Sequence, residues 1–245
     1  MRKVRITGGE PLIRRNLEHL IEMIGATEGV QDISLTTNGS MLTADRAVSL
    51  RQAGLKRLTI SLDALDDATF KSINDVDYPA SRVLDGINNA RAAGFSDIKV
   101  NAVVRRGLNE HAVLDLAKHF RHSGCIVRFI EYMDVGETNG WNLDDVIPAA
   151  DLVDRIDALY PLEAVSPNYP GEVAKRCRYR VGAGDIGFIT SVTQSFCGDC
   201  SRTRLSAVGE LYTCLFGTQG HDLRSLLRSG ADAVSYTHLT LPTKA

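Results

Sequence analysis

The sequence predicts an α/β protein built on a parallel β-sheet, followed by a smaller region that carries a cysteine cluster. In the first part of the chain, short apolar runs alternate with amphipathic stretches and the connections are short, as in repeated βα units. Near the end, Cys197, Cys200 and Cys214 form the pattern C-x2-C-x13-C. The repeats fit an open sheet or a barrel, and both folds bind ligands at the carboxyl ends of their strands.

The individual elements follow from apolar spacing and from helix-terminating residues. Residues 4–7 read as the first strand, and the apolar positions between Leu17 and Ile24 predict a helix over 16–24. Thr43 is a suitable N-cap and Gly54 a suitable stop for a helix over 43–53. The same reasoning predicts strands at 33–36, 58–62, 98–103 and 126–130 and helices at 81–93 and 110–122.

The pattern changes after Trp141. One more helix is predicted at 151–159, then antiparallel strands at 178–181 and 187–190, and a hairpin pairing 204–207 with 211–215. We therefore predict a partial barrel over 1–142 and a cluster-binding α+β region over 143–233. Residues 234–245, which are rich in threonine and lack acidic residues, are expected to be a non-native tail, and a native disordered tail is the alternative.

Composition narrows the class of protein. The chain has 245 residues, 44% of them hydrophobic, and a net charge of −2, so nucleic-acid binding would need a local basic patch. No apolar run reaches the length of a membrane span. Five cysteines, three of them clustered, argue against a disulfide framework and for a reducing compartment, so we expect a cytoplasmic protein.

Polar residues follow the predicted strands, where parallel strands would bring them to one edge. The segments are Gly8-Gly9-Glu10-Pro11, Thr36-Thr37-Asn38-Gly39, Ser61-Leu62-Asp63, then Asn101, Glu131 and Met133. Each alone could be a plain turn, and Asp63 could cap a helix. Together they predict a single ligand site.

Cations occupy strand positions where parallel strands usually carry valine or isoleucine. Lys3, Arg5 and Thr7 share one face of the first strand, and Lys99 and Arg128 lie in later strands. Buried cations need partners, and a polyphosphate would supply them. The alternative is an internal ion pair with Glu10 or Glu131.

The cysteine cluster predicts a metal centre. Three thiolates without an evident fourth ligand suit an iron–sulfur cluster with one open iron, or an incomplete zinc site. Cys177 is the alternative fourth ligand, although Cys125 and Cys177 more simply read as small apolar residues. Arg202 and Arg204 beside the pair indicate that the bound group is anionic.

Together these segments resemble the GTP 3′,8-cyclase family, molybdenum cofactor biosynthesis protein A, over roughly residues 1–233. The resemblance implies an incomplete (βα)6 barrel of the radical S-adenosylmethionine (SAM) type with two [4Fe-4S] clusters. It also implies that a 5′-deoxyadenosyl radical abstracts hydrogen from C3′ of GTP, and that C3′ then attacks C8 of guanine.

The resemblance assigns roles to individual residues. Gly9, Ser61 and Met133 would contact SAM, with Glu10 and Asn38 beside them, and Arg128 would act in catalysis. The three clustered cysteines would bind the second cluster, whose open iron holds the guanine end of GTP. The GTP contacts would be Lys3, Arg5, Thr36, Lys99, Arg202, Thr203 and Arg204.

One departure from the family is that its C-x3-C-x2-C motif is absent from these residues, as is its glycine-rich C-terminal end. We therefore expect the first strand of the family's barrel, which precedes the strand at 4–7, and the radical-generating cluster loop to lie upstream of Met1. We also expect the chain alone to be inactive. The family further implies a homodimer and a downstream enzyme that makes cyclic pyranopterin monophosphate. Two other hypotheses remain: a different radical SAM enzyme with an auxiliary cluster, and a non-catalytic zinc- or cluster-binding module.

Overall fold

The computed structural model describes residues 2–134, 140–169, 171–194, 200 and 202–231. The chain divides into two compact units, Met1–Phe196 and Cys197–Ala245. In the part of the chain that the structure describes, no helix is long and apolar enough to cross a membrane.

The first unit contains an eight-stranded sheet in the order β1-β2-β3-β4-β5-β8-β7-β6. Strands β1 to β5 are parallel to one another and β8 is parallel to β5, whereas β7 is antiparallel to both β8 and β6. This mostly parallel α/β sheet confirms the predicted fold class. The strands are β1 Lys3–Ile6, β2 Asp32–Thr37, β3 Arg57–Ser61, β4 Ile98–Val104, β5 Ile126–Glu131, β6 Leu162–Val165, β7 Lys175–Tyr179 and β8 Asp185–Ile189.

The helices of this unit connect the strands, and each predicted helix ends within two residues of its predicted position. Thr43 caps α2, since its hydroxyl accepts a hydrogen bond from the Arg46 amide, and Gly54 and Gly94 adopt the positive φ that follows a helix. Helix α3 was not predicted; its N-cap is Asp66, which accepts from the Thr69 amide. The helices are α1 Leu17–Gly25, α2 Ala44–Gln52, α3 Asp67–Asn74, α4 Ala80–Ala92, α5 Ala112–Phe120 and α6 Ala149–Asp157.

The apolar core lies between one face of the sheet and these helices. Alternate strand residues are buried there, because successive side chains of a strand point to opposite faces. The opposite face, called the inner face below, carries the intervening residues. The core residues of the parallel strands are Ile33, Leu35, Leu58, Ile60, Ile98, Val100, Ala102, Val104, Val127, Phe129, Ile186 and Phe188.

The second unit is small. Its three-stranded antiparallel sheet pairs β10 (Glu210–Tyr212) with β9 (Arg204–Leu205) and β11 (His221–Asp222), and helix α7 (Leu223–Arg228) follows. The predicted hairpin is therefore present, and Gly209 at its turn has a φ of +87°.

The sheet crosses the domain boundary that the sequence predicts between residues 142 and 143. Strands β6 to β8 continue the main sheet, and the compact units separate between Phe196 and Cys197. The predicted division into 1–142 and 143–233 does not coincide with these compact units, and it stays a prediction about which region binds which ligand. The segment 234–245 lies outside the described residues.

Glu131 connects the parallel strands to the elements that follow them. Its carboxylate is fully buried and accepts hydrogen bonds from the amides of Ala149, Val192 and Thr193, each at 2.9 Å, and from the Thr193 hydroxyl at 2.6 Å. Burial opposes ionisation, but these hydrogen bonds outweigh it and hold the pKa of Glu131 below its usual range. Glu131 therefore fixes the start of α6 and the segment after β8.

We predict that Glu131→Gln destabilises the protein by about 2 kcal/mol at pH 7, because the amide nitrogen cannot accept and leaves buried amides unsatisfied. Since the folded-state pKa is depressed, the carboxylate's contribution is present above the unfolded pKa and is lost as pH falls through the folded pKa. Urea unfolding between pH 3 and 8 measures this. Glu163→Gln, at an exposed site on β6, is the matched control, and equal stability of the two variants would contradict the assignment.

Candidate active site

The inner face of the sheet is polar along five neighbouring strands. Residues from β2 to β5 alternate with the core positions, and the strand register places them side by side, with Thr36 opposite Thr59, Thr59 opposite Lys99, and Asn101 opposite Arg128. Arg5 on β1 pairs in register with Ser34. The inner-face residues of these strands include Ser34, Thr36, Arg57, Thr59, Ser61, Lys99, Asn101 and Arg128.

Two of the inner-face cations have carboxylate partners. Arg57 makes two hydrogen bonds to Asp32, with Nε 3.1 Å from Oδ1 and Nη2 bound to Oδ2. Lys99 Nζ lies 3.6 Å from Asp97 Oδ2. Burial nevertheless lowers the pKa of Lys99, and the charges of Arg128 and Arg57 add to this effect.

Arg128 has a different environment. Its Nε donates to Asn101 Oδ1 at 2.9 Å and its Nη2 to Thr59 Oγ1 at 3.4 Å, and both acceptors are neutral. Among the residues that the structure describes, no carboxylate lies within salt-bridge distance of it. Burial, followed by repulsion from Arg5, lowers the pKa of Arg128 to about 10, so it stays charged at neutral pH. The predicted alternative for Lys99 and Arg128, an ion pair with Glu10 or Glu131, is not found among the described residues.

Glu10 joins the turn after β1 to the turn after β2. Its carboxylate accepts from the Leu12 amide at 3.0 Å, the Thr37 hydroxyl at 2.5 Å and the Asn38 amide at 2.7 Å. Asn38 Oδ1 in turn accepts from the amide and the hydroxyl of Ser40. Glu10 therefore has a structural role in this turn, and its contact with a ligand amine remains a prediction.

The other predicted residues of the first unit lie along the same edge or face. Gly9 is exposed, and a Cβ at this position would have no atom within 4 Å. Thr36 Oγ1 is buried and has no hydrogen-bond partner among the described residues. Lys3 Nζ lies 3.8 Å from the centre of the Tyr169 ring. Ser61 is the last residue of β3, Met133 follows β5, and both are partly buried.

The second unit holds the remaining predicted residues. Cys200 is partly buried and Cys214 is exposed, whereas Cys197 lies outside the described residues. Arg202 Nε donates to Cys200 Sγ at 3.3 Å; burial opposes ionisation of the thiol, but hydrogen bonds and charge from Arg202 hold its pKa below the usual value. Arg204 Nη1 is buried without a partner among the described residues, and Thr203 is exposed.

The other two described cysteines are not near a metal-binding arrangement. Cys125 belongs to the core cluster, and Cys177 lies on β7 and packs against it. Burial raises the pKa of both thiols. Both are therefore in the environment expected of small apolar residues, as the sequence predicts.

Comparison with known proteins identifies the family. A profile described as Radical SAM superfamily matches residues 1–120, and one described as Molybdenum Cofactor Synthesis C matches 125–240, which extends into the predicted tail. A GTP 3′,8-cyclase of Xanthomonas axonopodis pv. citri is 53% identical over 237 residues, covering 97% of this chain and 70% of that protein. The chain belongs to the GTP 3′,8-cyclase family.

A second relative and two solved structures complete the comparison. The GTP 3′,8-cyclase of Acidothermus cellulolyticus is 54% identical over 96% of this chain and 65% of its own length, so the chain spans about two thirds of its relatives. Streptococcus suis SuiB has a TM-score of 0.63 at 15% identity, covering 94% of this chain and 55% of SuiB. SuiB bound to S-adenosylmethionine has a TM-score of 0.61 at 15% identity, covering 96% of this chain and 56% of that chain. These structures support the fold only.

The structure adds residues of this cyclase-family chain that sequence reasoning did not assign to the inner face. Thr59, Arg57 and Asp32 lie among the predicted cations, and Asn101 contacts Arg128. Period-two alternation from Ile60 and Val100 would have placed Thr59 and Asn101 on this face. No local signal could have paired Asn101 with Arg128, because that pairing depends on the register of two strands far apart in sequence.

Asp63 and Asn109 hold the ends of β3 and β4 together. Asp63 Oδ1 accepts from the Val103 amide at 2.7 Å, and Asn109 Nδ2 donates to the carbonyls of Asp63 and Val103 at 3.0 and 2.8 Å. Burial raises the pKa of Asp63 to about 6, against the effect of its hydrogen bonds. Asp63 therefore connects the end of β3 to β4 at the edge of the site, and is not the simple helix cap that the sequence allowed.

We predict that Asp63→Asn stabilises the protein at pH 7.5 by on the order of 1–2 kcal/mol, because the amide keeps an acceptor for Val103 without a buried charge. The folded pKa of Asp63 is raised, so its stabilising contribution is present below the unfolded pKa of 3.8 and is lost as pH rises through about 6. Thermal unfolding at pH 4 and pH 7.5 should show a difference only at the higher value. The exposed Asp77→Asn serves as control; a variant less stable than wild type at pH 7.5 would contradict the argument.

Proposed function

We propose that this chain forms the central part of a GTP 3′,8-cyclase, which converts GTP to (8S)-3′,8-cyclo-7,8-dihydroguanosine 5′-triphosphate by radical SAM chemistry. The observation that carries the proposal is the partly buried Arg128, which has only neutral hydrogen-bond partners among the described residues and lies on a polar inner face with Lys99. Removing such a cation from water without a counter-ion is unfavourable, and an anionic ligand would neutralise its charge. Membership of the GTP 3′,8-cyclase family supports GTP as that ligand.

The triphosphate would lie against the inner face. Lys99 and Arg128 supply charge, and the buried Thr36 hydroxyl supplies a hydrogen bond that nothing in the described protein uses. Arg5 belongs to the same face and lies close enough to Arg128 to lower its pKa. Lys3, whose ammonium lies over Tyr169, would be a further phosphate contact. Arg128 would contact the reacting nucleotide directly.

SAM would lie along the edge formed by the strand ends. The open space around Gly9 allows a ligand to approach the backbone closely. Ser61 ends β3 and Met133 follows β5, both at the carboxyl ends of the parallel strands. The Asn38 amide donates to the Glu10 carboxylate, which holds Asn38 in place. We therefore assign Gly9, Glu10, Asn38, Ser61 and Met133 to cofactor binding, with Glu10 acting through the turn that it organises.

The second unit would hold a [4Fe-4S] cluster on Cys197, Cys200 and Cys214. The fit is supported by Cys200, which Arg202 biases towards the thiolate form that metals require. A cluster with one open iron can bind a substrate group directly. Arg202, Thr203 and Arg204 would contact GTP beside it, and the unpartnered Arg204 Nη1 is consistent with that role.

Two further components belong to this proposal. The cluster that supplies the radical would be held by a C-x3-C-x2-C motif outside these 245 residues, because none of the five cysteines here forms one. The complete enzyme would act as a homodimer, and a downstream enzyme would convert its product to cyclic pyranopterin monophosphate.

The cluster assignment predicts about four irons and four sulfides per chain after anaerobic reconstitution, since a single [4Fe-4S] centre would be present. Cys197→Ala should abolish this content, because two thiolates hold such a cluster poorly. Cys177→Ala is the matched control and should retain it. Zinc without sulfide would instead favour a zinc-binding module, and retention of iron in Cys197→Ala would exclude the proposed ligand set.

The substrate assignment predicts that Lys99→Gln and Arg128→Gln each weaken GTP binding by about tenfold or more, because each removes a charge from a partly desolvated phosphate site. Lys118→Gln, which removes an exposed charge from α5, should leave the affinity unchanged. Isothermal titration calorimetry with GTP and with guanosine separates phosphate contacts from base contacts. Equal affinities of the wild type and both inner-face variants would refute a triphosphate site on this face.

A further inference from the structure

Asn101 and Arg128 form a directly opposed pair on β4 and β5. The Asn101 side-chain oxygen accepts from Arg128 Nε at 2.9 Å, and Thr59 on the next strand accepts from Nη2 at 3.4 Å. These two contacts restrain the plane of the guanidinium. They use only two of its five N–H donors, so the restrained group retains donors for another partner.

The neighbouring cations on this face are held differently. Arg57 bonds to Asp32 through two nitrogens, and Lys99 lies 3.6 Å from Asp97. For Arg128, Asp97 and Glu172 act only as more distant charges, and Arg5 repels it. A carboxylate at position 101 would satisfy Nε equally well and would also neutralise the charge. The amide provides the same acceptor geometry and leaves the charge in place.

This choice has an energetic cost to the fold. A buried guanidinium without a counter-ion is disfavoured, and truncating one member of a buried charged pair is strongly destabilising for the same reason. An asparagine rather than an aspartate beside Arg128 therefore gives up stability. A cost of this kind is expected where a ligand supplies the missing charge.

We propose that Asn101 is a positioning residue: it orients the Arg128 guanidinium for an oxyanion of the substrate and, being neutral, keeps the Arg128 charge available for that oxyanion. Thr59 supports the same orientation from the other side. The inference rests on the proposed function, since the oxyanion is taken to be part of the GTP triphosphate. It assigns to residue 101 a role through Arg128 rather than a contact with the cofactor.

The main test compares Asn101→Asp with Asn88→Asp. Both add one negative charge, but Asn88 is exposed on α4. The probes are GTP and inorganic tripolyphosphate, titrated into the reconstituted chain at low salt. We expect Asn101→Asp to bind both probes about tenfold or more weakly than Asn88→Asp, because the new carboxylate neutralises Arg128. We also expect its urea midpoint to equal or exceed that of Asn88→Asp.

The opposite signs of the two effects distinguish positioning from a structural role. If residue 101 were merely structural, Asn101→Asp would lose stability and affinity together, and that result would overturn the proposal. Equal affinities of the two variants would overturn it as well.

A double-mutant cycle gives a second, independent test, which also decides the case if Asn101→Asp does not fold. Asn101→Ala should weaken tripolyphosphate binding several-fold in the wild type but leave it unchanged in an Arg128→Met background, because the residue acts through Arg128. The same loss in both backgrounds would refute the mechanism. Failure of the proposed function would give a different result, since neither GTP nor tripolyphosphate would then bind to the wild-type chain.

Discussion

The structure of the strand ends depends on which groups the buried Glu131 and the partly buried Glu10 contact. Glu131 is three residues after Arg128 on the same strand, yet it lies on the helix side and accepts four hydrogen bonds from the segments at Ala149 and at Val192 and Thr193. Glu10 likewise binds backbone amides and a threonine hydroxyl. Because these carboxylates bind backbone amides and threonine hydroxyls, neither forms an ion pair with Lys99 or Arg128 among the described residues.

The same interactions make the strand ends rigid. Glu10 joins the ends of β1 and β2, Asp63 with Asn109 joins those of β3 and β4, and Glu131 joins β5 to α6 and to the segment after β8. Each clamp uses a side-chain oxygen to satisfy an amide that would otherwise be unpaired at a loop. Loops fixed in this way hold ligand-binding groups in place before the ligand arrives, which reduces the ordering required on binding.

The sequence was sufficient for the fold class, for most elements and for the face that carries the cations, because these depend on period-two alternation and on local caps such as Thr43. It was not sufficient for α3, because this short helix has a single buried residue, Phe70, and so shows no apolar periodicity. It also placed Glu131 with the ligand-binding strand ends, whereas alternation from Val127 and Phe129 directs this residue to the helix side. Partner assignments such as Asn101 with Arg128 depend on strand register and lie beyond local reasoning.

The net charge of the chain does not show which individual arginines have a carboxylate partner. The chain carries −2 overall, yet Arg57 and Arg128 face the same side of one sheet with opposite outcomes. Arg57 meets Asp32 across the β2–β3 pair and is neutralised, whereas Arg128 meets Asn101 across the β4–β5 pair and keeps its charge. The side chain that accepts from Nε is a carboxylate for Arg57 and an amide for Arg128. That difference is why we assign the anion-binding role to Arg128 and not to Arg57.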